Sequence, residues 1–273
     1  MGGAPARPGP SSVSRLVVRD VAIAFGGVVA LDGVDLELGA AEIRGVIGPN
    51  GAGKTTLLNV ICGINPPDRG EITLDALPLV GLKPSVIAAH GLGRTFQATQ
   101  LFRGMTVLEN VMTGLHGRLD EGVLGAVFRS RRLCDAEAQA AARAREVLAF
   151  VGMEKFEERL ATELSFGQQR VIEIARALIS EPRVLLLDEP AVGLSLNRIV
   201  EVDSLMRRIR DERGVSILLI EHVIRLVMDV SDRITVLSHG RKIAEGRPEA
   251  IRIDAAVIEA YLGKDLHAGS PAP

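Results

Sequence analysis

Tryptophan is missing from this chain of 273 residues, and Tyr261 is its single tyrosine. Its two cysteines, Cys62 and Cys134, lie far apart, which argues against a disulfide framework or a zinc knuckle and for a reducing, cytoplasmic setting. A strong charge of either sign is also lacking. The formal net charge is −2, so no global basic field exists to attract nucleic acid or an anionic membrane, and no nucleic-acid partner is expected. The longest apolar runs, Val184 to Leu187 and Val215 to Ile220, have the length of buried strands and fall far short of the ~18 residues that a membrane-crossing helix needs. Met1 to Ser14 is rich in Gly, Pro and Ser, has no apolar h-region, and reads as a disordered leader and not a signal peptide. A myristoylation motif fails at Ala6, where Ser or Thr is wanted. Membrane association is therefore expected to run through a partner protein.

Apolar side chains are plentiful, at 47% of the chain, enough for a sizeable core. Residues 15–25 and 34–38 alternate like strands with one wet face, and residues 42–47 form a short apolar strand that ends in a Gly-rich turn. A helix is predicted over 53–62 with Gly63 as its stop, and further strands over 70–74 and from 91. Thr106, with Glu109 three residues on, predicts a capped helix to 115. Residues 116–132 dissolve into Gly and Arg and read as an irregular insertion, and the Ala-rich stretch 135–150 is strongly helical. From Ser165 onward helix and strand alternate, with strands over 183–187, 215–220 and 232–237 and helices between them, as in a parallel sheet covered by helices.

The turn after the strand at 42–47 reads Gly48-Pro49-Asn50-Gly51-Ala52-Gly53-Lys54-Thr55-Thr56, which fits G-x4-G-K-[ST] between a strand and a helix. Glycines are needed there because main-chain N–H groups must point inward at a phosphate, through dihedrals that a Cβ obstructs. The helix that follows adds its positive end. Lys54 supplies a point charge for the β/γ oxygens, and Thr55 offers a hydroxyl to Mg²⁺. The pattern points to ATP with Mg²⁺.

Val184-Leu185-Leu186-Leu187-Asp188-Glu189-Pro190 is an apolar strand ending in two acids, placed where open α/β sheets bind ligands. Asp188 can hold the magnesium, directly or through water, and Glu189 can polarise an attacking water. Without the upstream loop the same pair would read as a surface acidic turn. Leu164-Ser165-Phe166-Gly167-Gln168 precedes an amphipathic helix, and Ser165 and Gly167 can offer N–H groups and a hydroxyl at its positive end. That is either an ordinary helix cap or a second anion site, one that would complete the nucleotide site of another chain.

These residues resemble the signature loop of the ATP-binding cassette (ABC) ATPases, usually Leu-Ser-Gly-Gly-Gln, with Phe166 departing at the third position. The resemblance implies an α/β fold: a P-loop NTPase core with a RecA-like parallel sheet, an N-terminal antiparallel β subdomain and an inserted α-helical subdomain. It spans residues 15–263, with the helical subdomain at 87–165 and a flexible tail at 264–273. Arg94-Thr95-Phe96-Gln97 resembles the family's Q-loop, which implies that Gln97 touches metal or water and reports to the membrane partner. Ile220-Glu221-His222 resembles the switch region, which implies His222 at the γ-phosphate; taken alone, a histidine after a strand is more often a packing residue or a helix cap. Phe25 sits where the family stacks an aromatic under adenine, although it could equally be a core strand residue. In Ala191-Val192-Gly193-Leu194-Ser195, which resembles the family's D-loop, Ser195 replaces the usual Asp or Asn and cannot hold a carboxylate's charge across a dimer seam.

Four segments narrow the resemblance: 94–97, 101–111, the Ser-Phe-Gly-Gln-Gln-Arg signature, and Glu259-Ala260-Tyr261-Leu262-Gly263. Together they are similar to the ATPase subunits of branched-chain amino acid importers, and residues 116–134 match the longer helical insertion of one of the two ATPases in such systems. This implies ATP hydrolysis coupled to import through separate permease subunits, at the cytoplasmic face of the membrane. It also implies a dimer with itself or a homologous cassette, and a substrate-binding protein reached indirectly. Tyr261 is expected to be a hydrophobic helix anchor. Close relatives move urea, amides or aromatic acids, and an exporter, a lipopolysaccharide system or a non-transport cassette are the alternatives.

Overall fold

A computed structural model describes residues 15–97, 100–118 and 131–267, with side chains described except at 116–118, 131–134 and 262–267. Two sheets organise it. Strands β1 (Leu16–Phe25), β2 (Val28–Leu38), β4 (Arg69–Leu74) and β5 (Leu77–Pro78) form an antiparallel sheet in the order β2-β1-β4-β5. Strands β3 (Ile43–Ile47), β6 (Leu92–Arg94), β7 (Val184–Asp188), β8 (Ser216–Ile220), β9 (Arg233–Ser238) and β10 (Arg241–Gly246) form a second sheet in the order β10-β9-β3-β8-β7-β6. The second sheet is parallel except for β10. That hairpin was not anticipated. It turns on His239 and Gly240, both at positive φ (48° and 76°), the geometry that two-residue hairpin turns favour.

The strands of the parallel sheet are buried on both faces, and their period of two divides their side chains between two cores. Ile43, Leu185, Leu187, Ile217 and Leu219 pack toward the helices. Val46, Leu186, Leu218 and Ile220 pack toward the antiparallel sheet and helix α1 (Lys54–Ile61), beside Leu57, Leu58 and Ile61. The continuous burial of these five-residue strands makes the sheet the rigid floor of the molecule.

Helices α3 (Val107–Met112), α4 (Arg131–Phe150) and α5 (Phe166–Leu178) lie together, with a turn of 3₁₀ helix over Thr113–Arg118 where a longer α3 had been expected. The expected capping box is present: Thr106 Oγ1 accepts from the Glu109 N–H at 3.2 Å, and Glu109 accepts from the Thr106 N–H at 2.8 Å. Most of the irregular insertion expected at 116–132 lies outside the described residues, but 131–134 already belong to α4. Short α2 (Pro84–Ala89), α6 (Leu196–Arg213), α7 (Ile224–Val230), α8 (Pro248–Arg252) and α9 (Ala255–His267) complete the chain, and among the described residues no helix is long and apolar enough to cross a membrane.

Candidate functional site

The turn from β3 to α1 runs through Gly48, Gly51 and Gly53 at φ of 153°, 80° and 100°. Packing makes two of them obligatory: a Cβ on Gly48 would lie 2.1 Å from the Leu237 carbonyl oxygen, and one on Gly53 would lie 2.6 Å from that of Ala30. Lys54 curls back into the turn, and its Nζ donates to the carbonyls of Gly48 at 2.7 Å and Pro49 at 3.0 Å. Thr55 is exposed on the first turn of α1, Thr56 half-buried beside it, Ala52 buried beneath and Asn50 exposed at the crest.

The register of the parallel sheet explains which other residues meet. Arg94 on β6 pairs with Leu186 on β7, and Asp188 pairs with Ile220 on β8. Residues three past Arg94 and Leu186 are Gln97 and Glu189, and the two past Ile220 are Glu221 and His222. All emerge at the carboxyl ends of adjacent strands. There Gln97 Nε2 donates to Glu189 Oε2 at 2.8 Å, and His222 Nε2 lies 2.5 Å from Glu189 Oε1. Glu189 is buried and holds φ of 52°, an unusual conformation for a side-chain-bearing residue and one found often at working sites. The His222 side chain is exposed, and α7 begins after it, with Val223 at its N-cap.

Asp188 is 2% exposed. Burial pushes its carboxyl above the ordinary range, while Arg94 and the Lys54 charge pull it back down. Its Oδ2 accepts from Arg94 Nη2 at 3.3 Å, and its Oδ1 is buried without a hydrogen-bond partner. Glu221 was read only as part of a motif. Its buried carboxylate accepts from three main-chain N–H groups, those of Ala191 (2.6 Å), His222 (2.9 Å) and Val223 (3.2 Å), and so ties the start of the 191–195 turn to the histidine. Burial nevertheless dominates and raises its pKa.

The segment that carries Gln97 is gripped from α5. Arg170 Nη1 donates to the Phe96 carbonyl at 3.0 Å, its Nη2 to the Gln97 carbonyl, and Glu173 accepts from the Gln100 N–H at 2.7 Å. At the head of α5, Ser165 and Gln168 form a reciprocal capping box, Gln168 Oε1 accepting from the Ser165 N–H at 2.9 Å. Leu164 is buried, Gly167 half-buried, and Ser165 and Phe166 are exposed, so the turn can be reached from outside. The Phe166 ring stacks with Arg170 at 5.1 Å and covers Gly193, where a Cβ would lie 3.2 Å from it. Leu194 is half-buried; Ser195 stands exposed at the N-cap of α6, and its side chain makes no cap hydrogen bond. Phe25 is 46% exposed at the end of β1, beyond the core. Tyr261, expected only to anchor α9, packs against the helix-side core and also sets its hydroxyl against the main-chain N–H of Gly48.

A family model described as "ABC transporter" matches residues 31–192, and one described as "Branched-chain amino acid ATP-binding cassette transporter" matches residues 241–267. The chain is 43% identical over 249 residues to the high-affinity branched-chain amino acid transport ATP-binding protein LivG of Salmonella typhimurium, covering 91% of this chain and 98% of that one. It is 41% identical over 249 residues to the corresponding protein BraF of Pseudomonas aeruginosa, with the same coverage of 91% and 98%. The crystal structure of the ADP conformation of an ATP-binding cassette of an ABC transporter superimposes with a TM-score of 0.79 at 30% identity, over 92% of this chain and 99% of that one. A dimeric cassette in a post-hydrolysis state, bound to ADP and Pi, superimposes with a TM-score of 0.71 at 26% identity, over 85% and 98%. A glycine-lined turn closed by a lysine, beside a buried acid pair that a glutamine and a histidine reach from neighbouring strands, is thus set in a chain that belongs to the ABC transporter family and is an ATP-binding, ATP-hydrolysing cassette.

Proposed function

We propose that this chain is the ATPase subunit of an importer for branched-chain amino acids, working as a peripheral protein at the cytoplasmic face of the membrane. It would pair with a second cassette, drive separate permease subunits and serve a substrate-binding protein. The observation that carries the substrate class is the match of residues 241–267 to the branched-chain amino acid model, joined to identity above 40% along nine-tenths of the chain.

In this reading the turn 48–56 cradles the phosphates, with Lys54 leaving the carbonyls of Gly48 and Pro49 for the β/γ oxygens. Phe25, held out from the sheet, stacks on adenine. The residues fit a magnesium ion, a hard cation that takes a few protein oxygens beside those of phosphate: the unpartnered Oδ1 of Asp188 and the hydroxyl of Thr55, with Gln97 nearby. Bound there, Mg²⁺ would neutralise charge on the transferring phosphoryl group. Glu189 is the base that orients water, and both its oxygens are engaged, by Gln97 and by His222. Each carboxylate oxygen keeps a second lone pair with which to hold water, and a γ-phosphate supplies a competing partner for His222. Residues 164–168 of a second cassette close the site from the far side, and the Gly193–Ser195 turn lies along the same seam. Since Arg170 on α5 grips the carbonyls of Phe96 and Gln97, movement of that helix is carried to Gln97 and to the permease that meets it.

The test is uptake of radiolabelled leucine by cells whose own copy is replaced by Lys54→Ala. Loss of leucine uptake with urea, short amides and aromatic acids unaffected supports the reading. Unchanged leucine uptake with loss of one of the others assigns the chain to that substrate instead.

A further inference from the structure

Arg94 has no part in that mechanism, yet its side chain ties together the groups beneath it. Its guanidinium is 8% exposed and meets three elements at once. Nη1 donates to Asn59 Oδ1 on α1 at 2.8 Å, Nη2 donates to Asp188 Oδ2 at the end of β7 at 3.3 Å, and the plane lies over the Phe96 ring with 4.9 Å to its centroid. Asn59 sits one turn past Lys54 and Thr55, and Phe96 directly precedes Gln97. The arginine thus joins the helix of the phosphate loop, the acid strand and the glutamine segment.

A buried ion pair is weak evidence for stabilisation, because desolvating both charges offsets most of their attraction. Its clearer effect here is on the shape of the acid. A carboxylate with two free oxygens can rotate and present either; Asp188 has Oδ2 occupied and Oδ1 bare. The fork geometry of a guanidinium allows separate nitrogens to hold Asn59 and Asp188 together, which a single ammonium cannot do from one position.

We propose that Arg94 is a positioning residue for the metal carboxylate: it ties Asp188 Oδ2 to α1, so that Oδ1 alone is turned to Mg²⁺, and thereby sets the Mg²⁺ concentration at which the nucleotide site fills. The inference rests on the reading of Asp188 as the magnesium ligand. Outer partners of metal-binding groups commonly change metal affinity by about 10–100-fold when removed.

The experiment measures binding of a fluorescent, non-hydrolysable ATP analogue to the full chain, first in EDTA and then across a Mg²⁺ titration, for wild type, Arg94→Lys, Arg94→Met and Asp188→Asn. The expected result is affinity in EDTA within about twofold of wild type for both arginine variants, with half-saturating Mg²⁺ raised about tenfold in Arg94→Met and less in Arg94→Lys. Asp188→Asn should abolish the Mg²⁺-dependent gain; if it does not, the assignment of Asp188 fails, and the inference fails with it. If Asp188→Asn does abolish the gain but the arginine variants titrate like wild type, the inference alone is overturned. It is overturned equally if their affinity falls as far in EDTA as in Mg²⁺, the mark of a merely structural role. Should Arg94→Met not fold, as judged by circular dichroism, Arg94→Lys decides by the same two comparisons.

Discussion

His222 and Glu189 face one another across 2.5 Å between a ring nitrogen and a carboxylate oxygen, although they sit on loops that leave different strands. With Gln97 on the other oxygen, the glutamate is held before any water reaches it. Glu189→Gln keeps the shape of this arrangement and removes the proposed base. It is expected to lower ATP turnover by at least about 100-fold, within the range for loss of a general base, while ATP binding stays within a few-fold of wild type. Turnover at the wild-type rate would remove Glu189 from the mechanism.

Gly48→Ala tests the cradle itself. The new methyl would meet the Leu237 carbonyl oxygen at 2.1 Å, a main-chain atom of β9 that cannot step aside. Destabilisation above about 3 kcal/mol and loss of nucleotide binding are expected, measured by urea unfolding and by fluorescent-nucleotide titration. Gly51→Ala, where a Cβ meets nothing within 4 Å but φ is 80°, should cost only about 1 kcal/mol, from backbone strain.

Glu221 gives a pH signature. Burial lifts its folded-state carboxyl above the ordinary 4.5, in spite of three N–H donors. A carboxyl raised on folding binds its proton more tightly in the native state, so its contribution to stability is present below pH 4.5 and is lost as pH rises through the folded value. The melting-temperature difference, wild type minus Glu221→Gln, should therefore shrink from pH 4.5 to pH 7. A difference that grows with pH would show that the N–H groups outweigh burial.

Much of this was legible in the residues, and the rest has a physical reason for being hidden. The turn 48–56 and the acids 188–189 are read directly because their chemistry needs fixed spacing along the chain. The strands of the parallel sheet show as apolar runs because both faces are buried. The meeting of Gln97, Glu189 and His222 depends on strand order and register, which no local pattern encodes; from the residue alone, packing or a helix cap is the more common reading of His222. Arg94 was legible as a motif letter, but its partners Asn59 and Asp188 come from α1 and β7, far away along the chain. The β10 hairpin was within reach, since His239-Gly240 between two apolar-polar runs is a turn signal.

Phe166 departs from the usual signature, and the structure gives it neighbours within its own chain. Replacing it with Gly, the usual residue, frees Gly193 and uncovers Arg170. Phe166→Gly is expected to leave nucleotide affinity of the isolated chain within about twofold, and to change ATP turnover only where two cassettes meet, by about 3–10-fold; steady-state turnover against protein concentration separates the two.

The contact between Tyr261 and Gly48 joins α9 to the glycine turn that follows β3. Anything that pulls on α9, whether a fused tag or a protein leaning on that helix, therefore has a short mechanical path to the glycine turn after β3.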